Sequence, residues 1–335
     1  MVNNMDLKKL AKVPKSYLKE MIGSLSRMEK LKKLKFFSGI HFKDTVEAFN
    51  KKLDSYSLVN RESNRVWQKV QLSRHEERPM CRDYIKGIFT DFVELSGDRL
   101  TGEDSSIIAG LGRISGNTVA VVGHQKGKNT RERVHHNFGM SIPQGYRKSQ
   151  RIMKLAEKFG FPVVTFIDTP GAYAGLEAED DGQSGAIARS IQLMFGLTVP
   201  AVSVLIGEGG SGGALALAVA NEIAVLENST YSVISPEACS AILWKDATGT
   251  RLAARALKIT SGDLKRLGIV DRVLHEPRGG AHNDPRRMIR MVKRYLSDAL
   301  GRLNKYPGQE LKLARAQKFE NMGFYTRLQP DSDSS

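Results

Sequence analysis

The chain has 335 residues, 41% hydrophobic and 26% charged, with a formal net charge of +15. That length supports one large or two modest domains around a sizeable core, and the composition is that of an ordinary globular chain. No apolar run approaches the ~20 residues that span a bilayer, and two distant cysteines, Cys81 and Cys239, exclude a disulfide scaffold and a Cys-rich zinc site within this chain.

The first residues, MVNNMDLKKLAKVPKSYLKE, carry no apolar stretch of the kind that leads a secreted protein. Asp6, Glu20 and a preference for lysine over arginine argue against an organelle transit peptide. Positive charge gathers at the ends: residues 1–35 hold ten Lys/Arg against three Asp/Glu, and residues 286–335 hold eleven against five. Two readings fit. The ends are solvated helices, or they form an electrostatic surface for an acidic partner or nucleic acid. No aromatic-interleaved basic motif supports nucleic acid, so none is expected as a partner.

Residues 1–80 read as a basic helical arm. GSLSRMEKLKKLKFF (23–37) has apolar residues at roughly helical spacing, and RVWQKVQLSR (65–74) predicts a short amphipathic helix. SIIAGLGRISGNTVAVVGHQ (106–125) predicts a hairpin turning at Gly116-Asn117. A polar stretch follows, then a helix over 146–160 with Ile152, Leu155, Ala156 and Phe159 on one face, stopped by Gly160 and Pro162. PVVTFIDT (162–169) is a buried strand by its β-branched run. PGAYAGLEAEDDGQ is a loop and SGAIARSIQLMFG (184–196) a helix. The strand AVSVLI (201–206), a glycine stretch and the helix ALALAVA (214–220) come next. EIAVLE (222–227) and TYSVIS (230–235) are strands; PEACSAILWK and LAARALKI are helices; Ser261 caps DLKRLG; IVDRVL (269–274) is a last strand. Asn283-Asp284-Pro285 opens a long helix. This alternation between 106 and 275 predicts an α/β layered fold. The expected segments are the arm (1–80), a central domain (81–285), and a C-terminal helix with a polar tail (286–335).

The glycine stretch GEGGSGG (207–213) holds five glycines in seven residues. Three chemistries fit those letters. Gly207, Gly209 and Gly212 match a dinucleotide fingerprint, with Glu227 placed 20 residues on as a ribose-binding acid; the helix that follows is short for a crossover. Gly209 to Gly213 also match the G-x-S-x-G elbow of a serine hydrolase, with Ser211 as nucleophile, Asp271 as acid and His275 or His282 as base. In the third reading the backbone N–H groups at the helix start form an oxyanion hole, and the glycines clear its approach. Tight helix–strand packing would account for one or two of the glycines.

The rest of the chain favours the third reading. ELSGDR (94–99), GHQKG (123–127), NFGM (137–140), GYRK (145–148), FIDTPGAY (166–173), GQSGAIA (182–188), IGEGGSGGALA (206–216), YSVISPEACSAILWK (231–245) and EPRGGAH (276–282) resemble, in order, the α-subunit family of the acetyl-CoA carboxylase carboxyltransferase of bacteria and plastids. WQKVQLSRHEERP (67–79) extends the likeness upstream.

The resemblance implies a crotonase-type α/β fold, a spiral of ββα units with oxyanion holes, extended by an N-terminal helical segment and a C-terminal helix. It implies a partner β subunit in an α2β2 heterotetramer, with zinc only in that β subunit. No cofactor is expected to be bound covalently here. Carboxybiotin arrives on the biotin carboxyl carrier protein, biotin carboxylase belongs to the larger complex, and acetyl-CoA is converted to malonyl-CoA for fatty acid synthesis. Gly212 and Gly213 are expected to hold the biotin ureido anion through their N–H groups. Gly209, Gly210, Thr169, Pro170, Gly171, Ala172, Tyr173, Asn137, Phe138 and Gly139 are expected to border the substrate. Gly213→Val is expected to stop turnover without disturbing the fold, and Ser211→Ala to keep most activity. The expected compartment is a bacterial cytoplasm, with a plastid stroma as the alternative. The sequence departs from the family near Gln144, where an acid is expected, and in the acidic loop Glu177–Asp181, which bears on carrier-protein contacts.

Overall fold

The computed structural model describes residues 42–245 and 249–323, with side chains from residue 58 onward. The helical reading of residues 23–37 and the tail beyond 323 lie outside the described residues. By packing, the chain divides into two units, Met1–Val66 and Trp67–Ser335. Helix α1 (Phe42–Ser73) runs for 32 residues without glycine or proline. Nothing in that sequence stops a helix, so the short helix expected at 65–74 is the end of a long one. The boundaries drawn at residues 80 and 285 do not coincide with a division of the packing, because Val70 and Met288 are both core residues of the larger unit.

That unit continues with α2 (Cys81–Ile88), β1 (Thr90–Glu94), β2 (Ile107–Ile114) and β3 (Asn117–His124). Ile114 pairs with Asn117 across the hairpin, so the turn residues are Ser115 and Gly116, at φ 49 and 82. Two positive φ values make the type I′ turn that suits strand twist, one residue earlier than expected. Then come α3 (Thr130–His135), α4 (Pro143–Phe159), β4 (Val163–Thr169), α5 (Leu176–Asp180), α6 (Gln183–Gly196) and β5 (Ala201–Gly210). Pro143 starts α4 three residues before the expected Tyr146, its missing N–H costing nothing in a first turn. Phe159, expected on the apolar face, is 56% exposed. The chain ends through α7 (Ser211–Leu215), β6 (Glu222–Leu226), β7 (Thr230–Ser232), α8 (Pro236–Trp244), α9 (Thr250–Ala256), α10 (Ser261–Arg266), β8 (Arg272–Leu274), α11 (Pro285–Leu303) and α12 (Gly308–Glu320). Thr260, not Ser261, caps α10, accepting the Asp263 N–H.

The strands form one mixed sheet in the order β1-β2-β3-β4-β5-β6-β8. β1, β2 and β3 pair antiparallel; from β3 onward the pairs are parallel. β7 adds itself beside the far end of β5, opposite Glu208, Gly209 and Gly210. Strand alternation sends Val121, Val164, Phe166, Val202 and Val204 to one face, under α2 and α11. Val122, Val163, Ile167, Ala201 and Leu205 go to the other, under α4 and α6. The C-terminal ends of β3, β4 and β5 therefore meet at one edge of a three-layer core, where ligands of parallel sheets gather.

Helix α12 has no regular apolar stripe and gave no sequence signal; Leu313 is 61% exposed. It is fixed by Arg315, whose guanidinium donates to the carbonyls of Met194 (2.6 Å) and Leu197 (2.8 Å) at the end of α6. Those carbonyls have no helical partner, so the buried cation satisfies them.

Candidate active site

The structure places GEGGSGG differently from the dinucleotide and hydrolase readings and starts a helix at Ser211. Residues 207–210 are the last four of β5, not a loop, and α7 is five residues long. β4 lies alongside, with Thr169 paired to Gly209. A Cβ on Gly207 would sit 2.2 Å from Asp168 Oδ1. On Gly210 it would sit 2.0 Å from the Pro170 carbonyl oxygen, and on Gly213 2.5 Å from the Ala172 nitrogen. On Gly209 it would meet Leu205 and Tyr231 at 2.7 and 2.9 Å. Close packing thus requires four of the five glycines, more than the one or two expected. Gly212 differs: its nearest neighbour is Ile187 at 3.5 Å, an ordinary contact. Gly213→Val is consequently no clean probe, since it would drive the start of α7 from the 170–172 turn; Gly212 is the position open to substitution.

This packing brings the expected segments together. Gly210 and Gly213 press on Pro170, Gly171 and Ala172. Thr169 holds that turn, its hydroxyl donating to the Gly171 carbonyl at 2.7 Å and accepting the Gly171 N–H at 3.1 Å. Asn137, Phe138 and Gly139 stand in succession at φ 44, 55 and 78. A left-handed phenylalanine costs of order 1–3 kcal/mol and is kept where the surroundings demand it. Here Gly139 packs on Lys126, and Phe138, 46% exposed, shares a cavity wall with Pro170. The Asn137 amide donates to the Met140 carbonyl at 2.8 Å, and the Tyr173 backbone is held by Ser141 and Gln183.

The cavity, about 220 Å³, is bordered by a chain of charges that includes Lys126, Asp168, Glu208 and Arg74. Lys126 Nζ lies 2.8 Å from Asp168 Oδ1 and 2.7 Å from Glu208 Oε2. Glu208 Oε1 accepts Arg74 Nε at 2.5 Å, and Arg74 Nη1 reaches Glu237 at 2.6 Å. Burial alone would raise the Glu208 carboxyl; Lys126 and Arg74 outweigh it and hold the group at about 2. Burial opposes charge on Lys126, and its two carboxylates more than restore it. The signal available was positional: an ionisable residue at the C-terminal end of each of three apolar strands. His124, at the end of β3, is fully buried against the backbone of Phe166 and Gly213, and burial pushes its pKa down to about 3. It is a neutral, fully buried residue at the end of β3.

The hydrolase and dinucleotide readings fail on placement. Asp271 is held by Lys318 and accepts the Ile223 N–H. His275 faces Glu227, and His282 stacks on His75 with ring centroids 3.8 Å apart. Among the described residues no hydrogen bond joins any of them to Ser211. Glu227 accepts the Glu276 N–H at 3.1 Å, and the fingerprint glycines Gly207 and Gly209 are strand residues, so no phosphate-binding turn forms.

Residues 16–323 match the family model described as acetyl co-enzyme A carboxylase carboxyltransferase-like. The chain belongs to this carboxyltransferase family. The acetyl-coenzyme A carboxylase carboxyl transferase subunit alpha of Rhodospirillum centenum is 48% identical over 297 residues, 89% of this chain and 94% of that one. That of Thermus thermophilus is 46% identical over 313 residues, 93% and 99%. Among solved structures, transcarboxylase 12S superposes with a TM-score of 0.57 at 16% identity, covering 77% of this chain and 44% of the other. The β subunit of Pseudomonas aeruginosa geranyl-CoA carboxylase gives 0.53 at 19%, covering 69% and 43%. The chain spans less than half the length of those two solved chains, and what it shares with them is the crotonase-type α/β fold. Among the described residues no helix is long and apolar enough to cross a membrane. Gln144 and the acidic loop meet in one contact: Gln144 Nε2 donates to Asp181 Oδ2 at 2.5 Å. An acid at 144 would face that carboxylate, so the amide and the acidic loop suit each other.

Proposed function

We propose that this chain is the α half of an acetyl-CoA carboxylase carboxyltransferase, completed by a β subunit that carries the zinc in an α2β2 assembly. Carboxybiotin, delivered on its carrier protein, supplies carbon dioxide and a basic ureido group that takes a proton from the acetyl-CoA methyl; malonyl-CoA results. The residues here are suited to holding that ureido oxygen. Gly212 and Gly213 follow Ser211 in the first turn of α7, where N–H groups lack helical acceptors. The Tyr146 hydroxyl, buried without a well-aligned partner, lies 3.1 Å from where a Gly213 Cβ would be. The observation that carries the reading is the contrast among the glycines: packing explains all but Gly212, whose face is left clear for a ligand. N–H donors aimed at a developing oxyanion are worth about 10²–10³ in rate each. Thr169 to Ala172 shape the wall opposite, and the paired charges keep ionised side chains from competing for the proton.

The test is malonyl-CoA-dependent carboxylation of biocytin by this chain, alone and mixed with a β subunit. Activity only in the mixture is expected, and Gly212→Val should lose it while still binding β. Activity of the chain alone, or full activity of Gly212→Val, would remove the shared-site assignment.

A further inference from the structure

The groove between α4 and α6 carries charge that the chain does not neutralise. It encloses about 680 Å³, within the size range of small-ligand pockets. Arg99, Arg151, Lys154 and Arg189 line it. Among the described residues none of these four forms an ion pair. Arg151 donates only to carbonyls, those of Gly97 (3.1 Å), Leu95 (2.9 Å) and Ser96 (3.0 Å). Those bonds fix the guanidinium and leave its charge unpaired. Asp98, the carboxylate in the lining, is already occupied. Its Oδ1 accepts the N–H groups of Leu100, Thr101 and Gly102, and its Oδ2 accepts Arg147 Nε at 2.8 Å.

Four like charges held around one hollow repel one another, and a compact ligand bearing several negative charges relieves that repulsion. Guanidinium groups match phosphate oxygens in pairs. Gly182, Gly185 and Ala186 also line the groove, and a Cβ on either glycine would meet nothing within 4 Å, so a ligand can approach the backbone there. A protein partner would find one large exposed apolar side chain, Leu100, too little for the core of an interface. We propose that this groove binds the phosphate groups of a nucleotide ligand. Ala186 lines the groove, and its neighbour Ile187 is the side chain that a Cβ on Gly212 would come nearest, so the two sites are close in the fold. Two sources share this chemistry: the nucleotide end of an acyl-CoA, which would rest on the proposed function, and a free nucleotide.

The experiment is calorimetric titration of the full chain with CoA and, separately, with ADP at constant salt. Saturable one-to-one binding of at least one is expected, weakened about tenfold or more by the Lys154→Ala/Arg189→Ala double variant. Lys312→Ala on α12 serves as the distant control and should change nothing. Binding of CoA but not ADP identifies the acyl-CoA; comparable binding of both identifies a free nucleotide. No binding of either, or equal binding by the double variant, overturns the proposal. Lys154 and Arg189 are exposed, so the variants keep the fold, and circular dichroism checks it. The titration needs neither β subunit nor biotin, so its failure is distinguishable from failure of the transfer assay.

Discussion

At the C-terminal ends of β3, β4 and β5, charges alternate in sign from Asp168 through Lys126, Glu208 and Arg74 to Glu237, each within reach of its neighbour. In the groove between α4 and α6, Arg99, Arg151, Lys154 and Arg189 stand without carboxylate partners. The first region is internally paired and buried at its inner members, so it can fix geometry and offers little net charge to a ligand. The second is open and uncompensated, so it can offer charge and does little for the fold. Under the proposed function, help to a reacting oxygen beside β5 comes from backbone N–H groups, while the proposed nucleotide would draw on side chains in the groove.

The largest expected effect separates these two regions. Lys126→Met leaves Asp168 and Glu208 facing each other without their cation, and should lower unfolding free energy by about 3–5 kcal/mol in urea titrations. Lys154→Ala and Arg189→Ala should stay within about 0.5 kcal/mol of the parent. Equal costs at both places would erase the contrast. Next, Gly210→Ala, whose methyl would meet the Pro170 carbonyl oxygen at 2.0 Å, should cost about 1–3 kcal/mol by the same measurement. Gly212→Ala should cost almost nothing, its methyl being 3.5 Å from Ile187; a matching loss there would mean that all five glycines serve packing.

His124 gives an effect that is seen only in the pH dependence. Its folded pKa, about 3, lies below the ordinary 6.5, so between these values the unfolded chain binds the extra proton. Stability should therefore fall on acidification through that window, by up to about 1.4 kcal/mol per pH unit from this residue. His124→Gln should remove that slope from the pH dependence of the urea midpoint; an unchanged slope would mean the imidazole is protonated in the fold. The smallest effect belongs to Gln144→Glu, which should cost less than about 1 kcal/mol at neutral pH, as exposed charge pairs do. The difference from the parent should shrink as salt is raised, because salt screens exposed charges; a difference that persists would place the cost in packing.

Much of the architecture was legible in the sequence. The β-branched run of β4, the Gly160 stop of α4, the Pro236 and Pro285 helix starts and the α/β alternation were all visible, because each depends on local sterics and spacing. Ordered motifs over about two thirds of the chain also pointed to the family. Helix α12 was not visible, because Arg315 holds it to carbonyls of α6 about 120 residues away in sequence. The ALALAVA helix was misread for a related reason: those residues are apolar because they are buried in the core, and no helical period is needed there.

The sequence by itself determined the strands, most helix starts, the family and the glycine cluster as a place of close approach. Only the tertiary structure decided which glycines that approach consumes and which cations remain free. A glycine's letter is the same whether its missing Cβ makes room for the next strand, as at Gly210, or for a ligand, as proposed at Gly212. An arginine's letter is the same whether it meets a carboxylate or only carbonyls, as Arg74 and Arg151 show. Both distinctions are set by the atoms across the gap, and those atoms come from elsewhere in the chain.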